Sequence, residues 1–122
     1  MTAPPFEPTP LTDAQYRAAT AAVLAHIEAT IDRWLQEDVV DIDTQRTGGL
    51  LELSFGNGSK IVVNTQPPLH ELWLAARSGG YHYKHAQGRW LDTRDARDFF
   101  TVLSQCASEQ AGKALAFPPL SA

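Results

Sequence analysis

The sequence predicts an α+β fold: a two-layer sandwich in which two helices pack on one face of a six-stranded antiparallel sheet. Three observations predict it. An early stretch carries apolar residues at helical steps, the middle alternates with period two between turn signals, and a second helical stretch follows. Each strand then has one apolar face and each helix one apolar stripe. The simplest burial puts both helices on the same sheet face and leaves the other face wet.

Residues 1–11 hold Pro4, Pro5, Pro8 and Pro10 and little to bury, so they are expected as a disordered, extended tail ahead of one domain spanning 12–122. Thr12 offers an N-cap, and Gln15 three residues later completes a capping box. Tyr16, Thr20, Val23, Leu24, Ile27, Ile31, Trp34 and Leu35 then recur mostly at steps of three and four, predicting a helix over about 12–36. Gly48-Gly49, Asn57-Gly58, Pro67-Pro68, Gly79-Gly80 and Gln87-Gly88 are turn signals. They divide strands near 39–46, 50–56, 59–66, 69–77, 81–85 and 89–92. Asn57-Gly58 is the firmest hairpin signal, because both residue types tolerate positive φ. Asp95 is the expected cap of the second helix, whose apolar side is Phe99, Val102, Leu103, Cys106 and Ala107 and which Gly112 stops. The segment Ala114-Leu115-Ala116-Phe117 is apolar enough to pack back on the body.

Composition narrows the function classes. A chain of 122 residues with 43% hydrophobic and 20% charged content is an ordinary single globular domain. Cys106 is the sole cysteine, so the chain forms no internal disulfide and no cysteine-based metal site alone. No basic-plus-apolar leader follows Met1, and no apolar run approaches the roughly 18 residues of a membrane span. A cytoplasmic protein is expected. The net charge of −4 is unevenly spread: residues 1–43 carry eight acids against two bases, and residues 44–122 six against eight. Such an acidic end repels nucleic acid and attracts cations or a basic protein partner.

Two groups of residues stand out. Glu28, Asp32, Glu37, Asp38, Asp41 and Asp43 form an acidic run with Arg33 as the single base within it. Glu28 and Asp32 are four apart and share a helix face. Asp32, Glu37 and Asp38 crowd the helix C-terminus, where the macrodipole disfavours negative charge by about 0.3–1 kcal/mol each. Asp41 and Asp43 alternate onto one side of a strand. Hard carboxylate oxygens suit iron, manganese, calcium or magnesium, although a merely solvated acidic face has the same pattern. The second group lies on the wet face of the sheet. Leu72, Leu74 and Ala76 alternate inward, so Trp73 points outward with Glu71, Ala75 and Arg77, and Asn64 and Gln66 share that face. Either Trp73 anchors a partner or a loop covers it; spacing leaves both open. His82 and His85 fall on opposite faces of one strand, so they cannot grip one metal, and Cys106 on the helix stripe is most simply a buried hydrophobe. No nucleophile–base pair or phosphate-cradling loop is present, and Gly48-Gly49 and Gly79-Gly80 are assigned to turns.

The ordered string Gly48-Gly49-Leu50-Leu51, Phe55-Gly56-Asn57-Gly58-Ser59-Lys60-Ile61, Asn64-Thr65-Gln66, Pro68-Leu69-His70, Trp73-Leu74-Ala75 and Gly79-Gly80-Tyr81-His82 resembles the frataxin family in its bacterial, CyaY-type form. The resemblance covers about residues 13–113. It implies the same α-β sandwich and a role in iron–sulfur cluster assembly, with weakly bound Fe²⁺ or Fe³⁺, or another divalent cation, on the acidic ridge. It also implies a cysteine desulfurase and a scaffold protein as partners, and a monomer able to form metal-driven oligomers. Carried over by position, the ridge is Glu28, Asp32, Glu37, Asp38, Asp41 and Asp43, and the partner-binding positions are Asn64, Gln66 and Trp73. Ala29 and Arg33 stand where the bacterial family usually has further acids, which implies weaker iron binding. The expected activity is non-enzymatic; the alternative is a ferroxidase or iron-storage activity on the ridge. A buried di-iron centre uses Glu-x-x-His pairs on facing helices, and the chain has no Glu-x-x-His.

Overall fold

Helix α1, Asp13–Gln36, begins at the expected capping box: Thr12 Oγ1 accepts from Gln15 N–H, and Gln15 Oε1 accepts from Thr12 N–H. In this computed structural model, which describes residues 3–120, six strands follow: β1 Asp43–Thr47, β2 Leu50–Ser54, β3 Lys60–Gln66, β4 Glu71–Ala76, β5 Gly79–Ala86 and β6 Arg89–Asp92. Helix α2, Phe99–Ala111, completes the chain order. The strands pair in sequence, all antiparallel, as one sheet β1-β2-β3-β4-β5-β6.

Alternation decides which side is buried. Leu51 and Leu53, Ile61 and Val63, Leu72 and Leu74, and Tyr83 form a continuous buried layer with Val23, Leu24, Ile27, Ile31 and Trp34 of α1 and Phe99, Val102, Leu103, Cys106 and Ala107 of α2. Both helices therefore cover one face, as the sequence predicts, and Cys106 is a buried member of the core. Tyr16 locks α1 to the sheet. Its hydroxyl donates to Glu71 O at 2.5 Å and accepts from Gln66 N–H at 2.9 Å. His70 stacks on the Tyr16 ring at 4.7 Å, and its Nε2 lies 2.8 Å from Asp13 Oδ1.

Several boundaries differ from the sequence expectation. The first strand starts at Asp43 rather than 39, because residues 37–42 turn the chain out of α1: Glu37 is the C-cap and Asp38 takes φ +57°. Residues 67–69 form a 3-10 turn that ends at a left-handed His70, so the fourth strand begins at Glu71. Gly79-Gly80 is not a turn. Arg77 and Ser78 make the two-residue loop, and both glycines pair with β4, opposite Ala76 and Ala75. At Asn57-Gly58 only Gly58 has positive φ, at +87°. Gly58 N–H bonds Phe55 O and Phe55 N–H bonds Ser59 O, a three-residue loop rather than the tight two-residue one. The second helix is capped by Asp98, whose carboxylate accepts from Thr101 N–H, not by Asp95. Asp95 instead accepts from Arg97 N–H in a turn where Ala96 takes φ +61°, a conformation that cannot continue into a helix.

At the start of the chain, residues 3–11 take no helix or strand, but Thr9 N–H bonds His85 O at 2.7 Å and Leu11 packs on the core. Residues 1–2 of the expected tail, and 121–122 of the expected domain, lie outside the described residues. At the other end Leu115 and Phe117 are buried as a strap across the helices. Ser108 Oγ donates to Leu115 O and accepts from Leu115 N–H, both at 2.9 Å, and Phe117 N–H bonds Ser104 Oγ.

Candidate functional site

The acidic run occupies one corner, where α1 ends and β1 begins. Asp32, Glu37, Asp38, Asp41 and Asp43 are all exposed, while Ile42 between the last two turns inward to the core. That alternation puts Asp41 and Asp43 on one side. Glu28 differs from the rest. Arg46 of β1 reaches across to it, Nη1 to Oε1 at 2.8 Å. The sequence places Arg46 outside the acidic run, and only the approach of β1 to α1 shows the pairing. None of the other five forms an ion pair among the described residues. Gln36 Nε2 is 3.5 Å from Asp32 Oδ2, a long contact. Among the described residues no three His, Cys, Asp or Glu side chains converge closely enough to enclose an ion. The corner offers exposed oxygen donors, chemistry suited to hard cations at low affinity and to a basic protein surface.

The second group lies on the open face of the sheet. Register sets Asn64 of β3 beside Trp73 of β4, and Trp73 beside His82 of β5. Gln66 pairs with Glu71 at the end of the same face. Trp73 is half-buried, and its recorded partners among the described residues are its sheet neighbours Glu71 and His82. The His82 imidazole stacks on the indole with ring centres 4.1 Å apart and planes 6° apart. The indole N–H donates to Glu71 Oε1 at 2.8 Å. Glu71 Oε2 lies 3.2 Å from Lys84 Nζ, which also donates to Leu69 O. Sequence reasoning placed Glu71 on this face but gave no role to Glu71, His82 or Lys84. The signal that finds them is cross-strand register, which a hairpin loop of known length would supply.

His26, His85 and Tyr83 belong to the packing of the helix layer. His26 Nε2 is 2.8 Å from Pro118 O and helps hold the C-terminal strap. His85 faces the helix layer against Trp90, its Nδ1 buried without a hydrogen-bond partner among the described residues, and burial pushes its pKa down. Burial pushes the Tyr83 hydroxyl up, and that hydroxyl also has no hydrogen-bond partner among the described residues. A cavity of about 1380 Å³ lies in the helix layer between Ala18, Ala22, Phe100, Ser104 and the strap; its lining includes neither the ridge nor the Trp73 group.

A meandering six-stranded sheet roofed by two helices, with an acidic α1–β1 corner and an aromatic open face, defines a frataxin-type sandwich. The family model described as a frataxin-like domain matches residues 9–113, and the chain belongs to that family. It is 50% identical over 107 residues to the iron-sulfur cluster assembly protein CyaY of Polaromonas sp. strain JS666, covering 88% of this chain and 92% of the relative. The protein of the same name from Paraburkholderia phymatum is 43% identical over 109 residues, covering 89% of this chain and 100% of the relative. Among solved structures, the frataxin of Psychromonas ingrahamii superposes with a TM-score of 0.79 at 32% identity, over 89% of this chain and 100% of that one. The trimeric frataxin of Saccharomyces cerevisiae complexed with ferrous iron shares the fold at a TM-score of 0.66 and 21% identity, over 89% of this chain and 93% of that one.

Proposed function

We propose that this chain is a non-enzymatic, iron-binding regulator and iron donor of iron–sulfur cluster assembly, acting in the cytoplasm on a cysteine desulfurase–scaffold complex. Membership of the frataxin family and the cluster-assembly names of its relatives support the pathway. One observation carries the rest of the reading: Asp32, Glu37, Asp38, Asp41 and Asp43 stand exposed at one corner with no ion pair among the described residues, and the first three oppose the helix dipole. Iron is cargo there, held by open carboxylates that release it as readily as they take it. The same field draws in a basic surface on the desulfurase. The open face, with Asn64, Gln66 and Trp73, is the contact for the scaffold protein.

The test is an anaerobic backbone NMR titration with Fe²⁺ and, separately, with the desulfurase. Paramagnetic broadening is expected to begin at the five unpaired acids and to reach Glu28 later, since Arg46 competes for its carboxylate. Broadening that begins at His26, His70 or His82 overturns the assignment. Desulfurase-induced shifts confined to surfaces away from both groups overturn the partner reading.

A further inference from the structure

The β2–β3 and β4–β5 loops leave the sheet at the same end as the acidic corner, and one buried side chain ties them together. Gln110 of α2 is 3% exposed. Its Nε2 donates to Ser59 Oγ and to Lys60 O, each at 3.1 Å, and its Oε1 accepts from Arg77 N–H at 3.0 Å. Gln110 O accepts from Asn57 Nδ2 at 2.7 Å. The two loops are thereby held at a set separation, and between them lies a shallow depression of about 480 Å³. Val62 and Ala75, which are register partners, line it together with Asn57, Lys60 and Arg77. Charge is uneven there. Lys60 Nζ is matched by Glu52 Oε1 at 2.8 Å, whereas Arg77 is exposed and forms no ion pair among the described residues.

Resting on the proposal that the acidic corner docks a basic surface of the desulfurase, we infer that this depression receives an acidic side chain of the same partner. Asp43 pairs with Ser54 and Ser54 with Lys60, so corner and depression share the open face. Two strand spacings separate Asp43 from Lys60, about 10 Å. A surface that meets both carries a base and, about that far on, an acid. The unmatched guanidinium offers a carboxylate two parallel N–H donors. The methylenes of a glutamate or aspartate then rest on Val62 and Ala75. A single carboxylate also fits the charge balance. A phosphate or a nucleic acid brings more negative charge than Arg77 alone neutralises, beside five exposed acids that repel it. The alternation of sign sets the partner's orientation, because a rotated partner would lay its acid against the corner.

The test titrates the full-length protein into purified cysteine desulfurase by calorimetry, with a urea melt of each variant. Every Arg77 variant keeps the backbone N–H that bonds Gln110, so melts close to wild type are expected. Arg77→Gln weakens binding about fivefold and Arg77→Glu at least about tenfold, while Arg77→Lys, which keeps the charge, stays within about threefold. Ala75→Asp sets a carboxylate in the depression beside Arg77 and weakens binding about tenfold. The field of the acidic corner alone predicts the opposite sign, since removing a cation or adding an acid makes the surface more attractive to a basic partner. Binding by Arg77→Glu and Ala75→Asp that equals or exceeds wild type therefore overturns the acidic occupant, and losses at Asp32→Lys and Glu37→Lys would then show the corner contact standing without it. If those two corner variants bind normally, the docking reading fails and the acidic occupant with it. A loss seen only toward purified scaffold protein, with the desulfurase unaffected, also overturns the assignment. Should Arg77→Glu fail to fold, Ala75→Asp decides.

Discussion

Trp34 is 7% exposed and its ring meets Phe117 at 4.7 Å, whereas Trp73 stands on the open face against His82. The same substitution therefore has different consequences. Trp34→Ala opens a cavity under the strap and is expected to cost about 3–5 kcal/mol. Trp73→Ala loses one stacked pair and leaves Glu71 Oε1 without its donor, about 1–2 kcal/mol, and the fold survives. In complex formation the order reverses, with Trp73→Ala weakening the contact by about 2 kcal/mol or more. Urea melts beside a pull-down with desulfurase and scaffold separate the two effects; equal losses of stability would return Trp73 to the core. His85 makes a second prediction at this scale. Burial holds its pKa below the ordinary 6.5, so the unfolded chain takes up the proton first. This contribution to stability is intact above about pH 6.5 and is lost as pH falls from there toward the lowered folded value. His85→Gln, compared with wild type in urea melts from pH 7.5 to 5, is expected to lose less stability on acidification; parallel curves would exclude the coupling.

At the scale of elements, the α1–β1 corner is built against its own stability. Asp32 and Glu37 crowd the helix end where the dipole favours cations, and Glu37 is the C-cap itself. Asp32→Lys and Glu37→Lys are expected to raise stability by a few tenths to about 1 kcal/mol, or leave it unchanged, while weakening desulfurase binding. A clear drop in melting temperature for both would make these acids structural. Only the packed structure separates Glu28 from this group. Its bond to Arg46 spans 18 residues and depends on β1 lying beside α1. β1 is itself exposed along its full length and paired on one side alone, and its polar sequence Asp43-Thr44-Gln45-Arg46-Thr47 protects an edge that would otherwise recruit other strands.

For the molecule as a whole, the strap closes the helix layer. Leu115 and Phe117 are buried, and Ser104, Ser108 and His26 hold its backbone. Deleting residues 114–122 uncovers Trp34 and the seam between α1 and α2. Removing two buried side chains of that size is expected to cost about 4–6 kcal/mol, read as a lower urea midpoint with the ridge chemistry unaltered. A midpoint within error of the full chain would show that the strap only rests on the surface.

The amino-acid sequence by itself determined the sandwich. Period-3.6 and period-2 patterns assign helices and strands, and burial of every apolar stripe leaves one way to stack them. It determined the outward placement of Trp73, Asn64 and Gln66 and the acidic corner, because alternation and helical spacing are local properties. Tertiary structure alone decided the partners. Cross-strand register put His82 against Trp73 and Lys84 beside Glu71, and sheet assembly carried Arg46 to Glu28. It also decided the turns, where the side chain and φ of single residues such as Ala96 and Gly58 outweigh residue-type preference. The physical reason is range. Periodicity is written in neighbours a few residues apart, whereas a hydrogen bond or a stacked ring needs ångström-level placement of segments the chain keeps far apart.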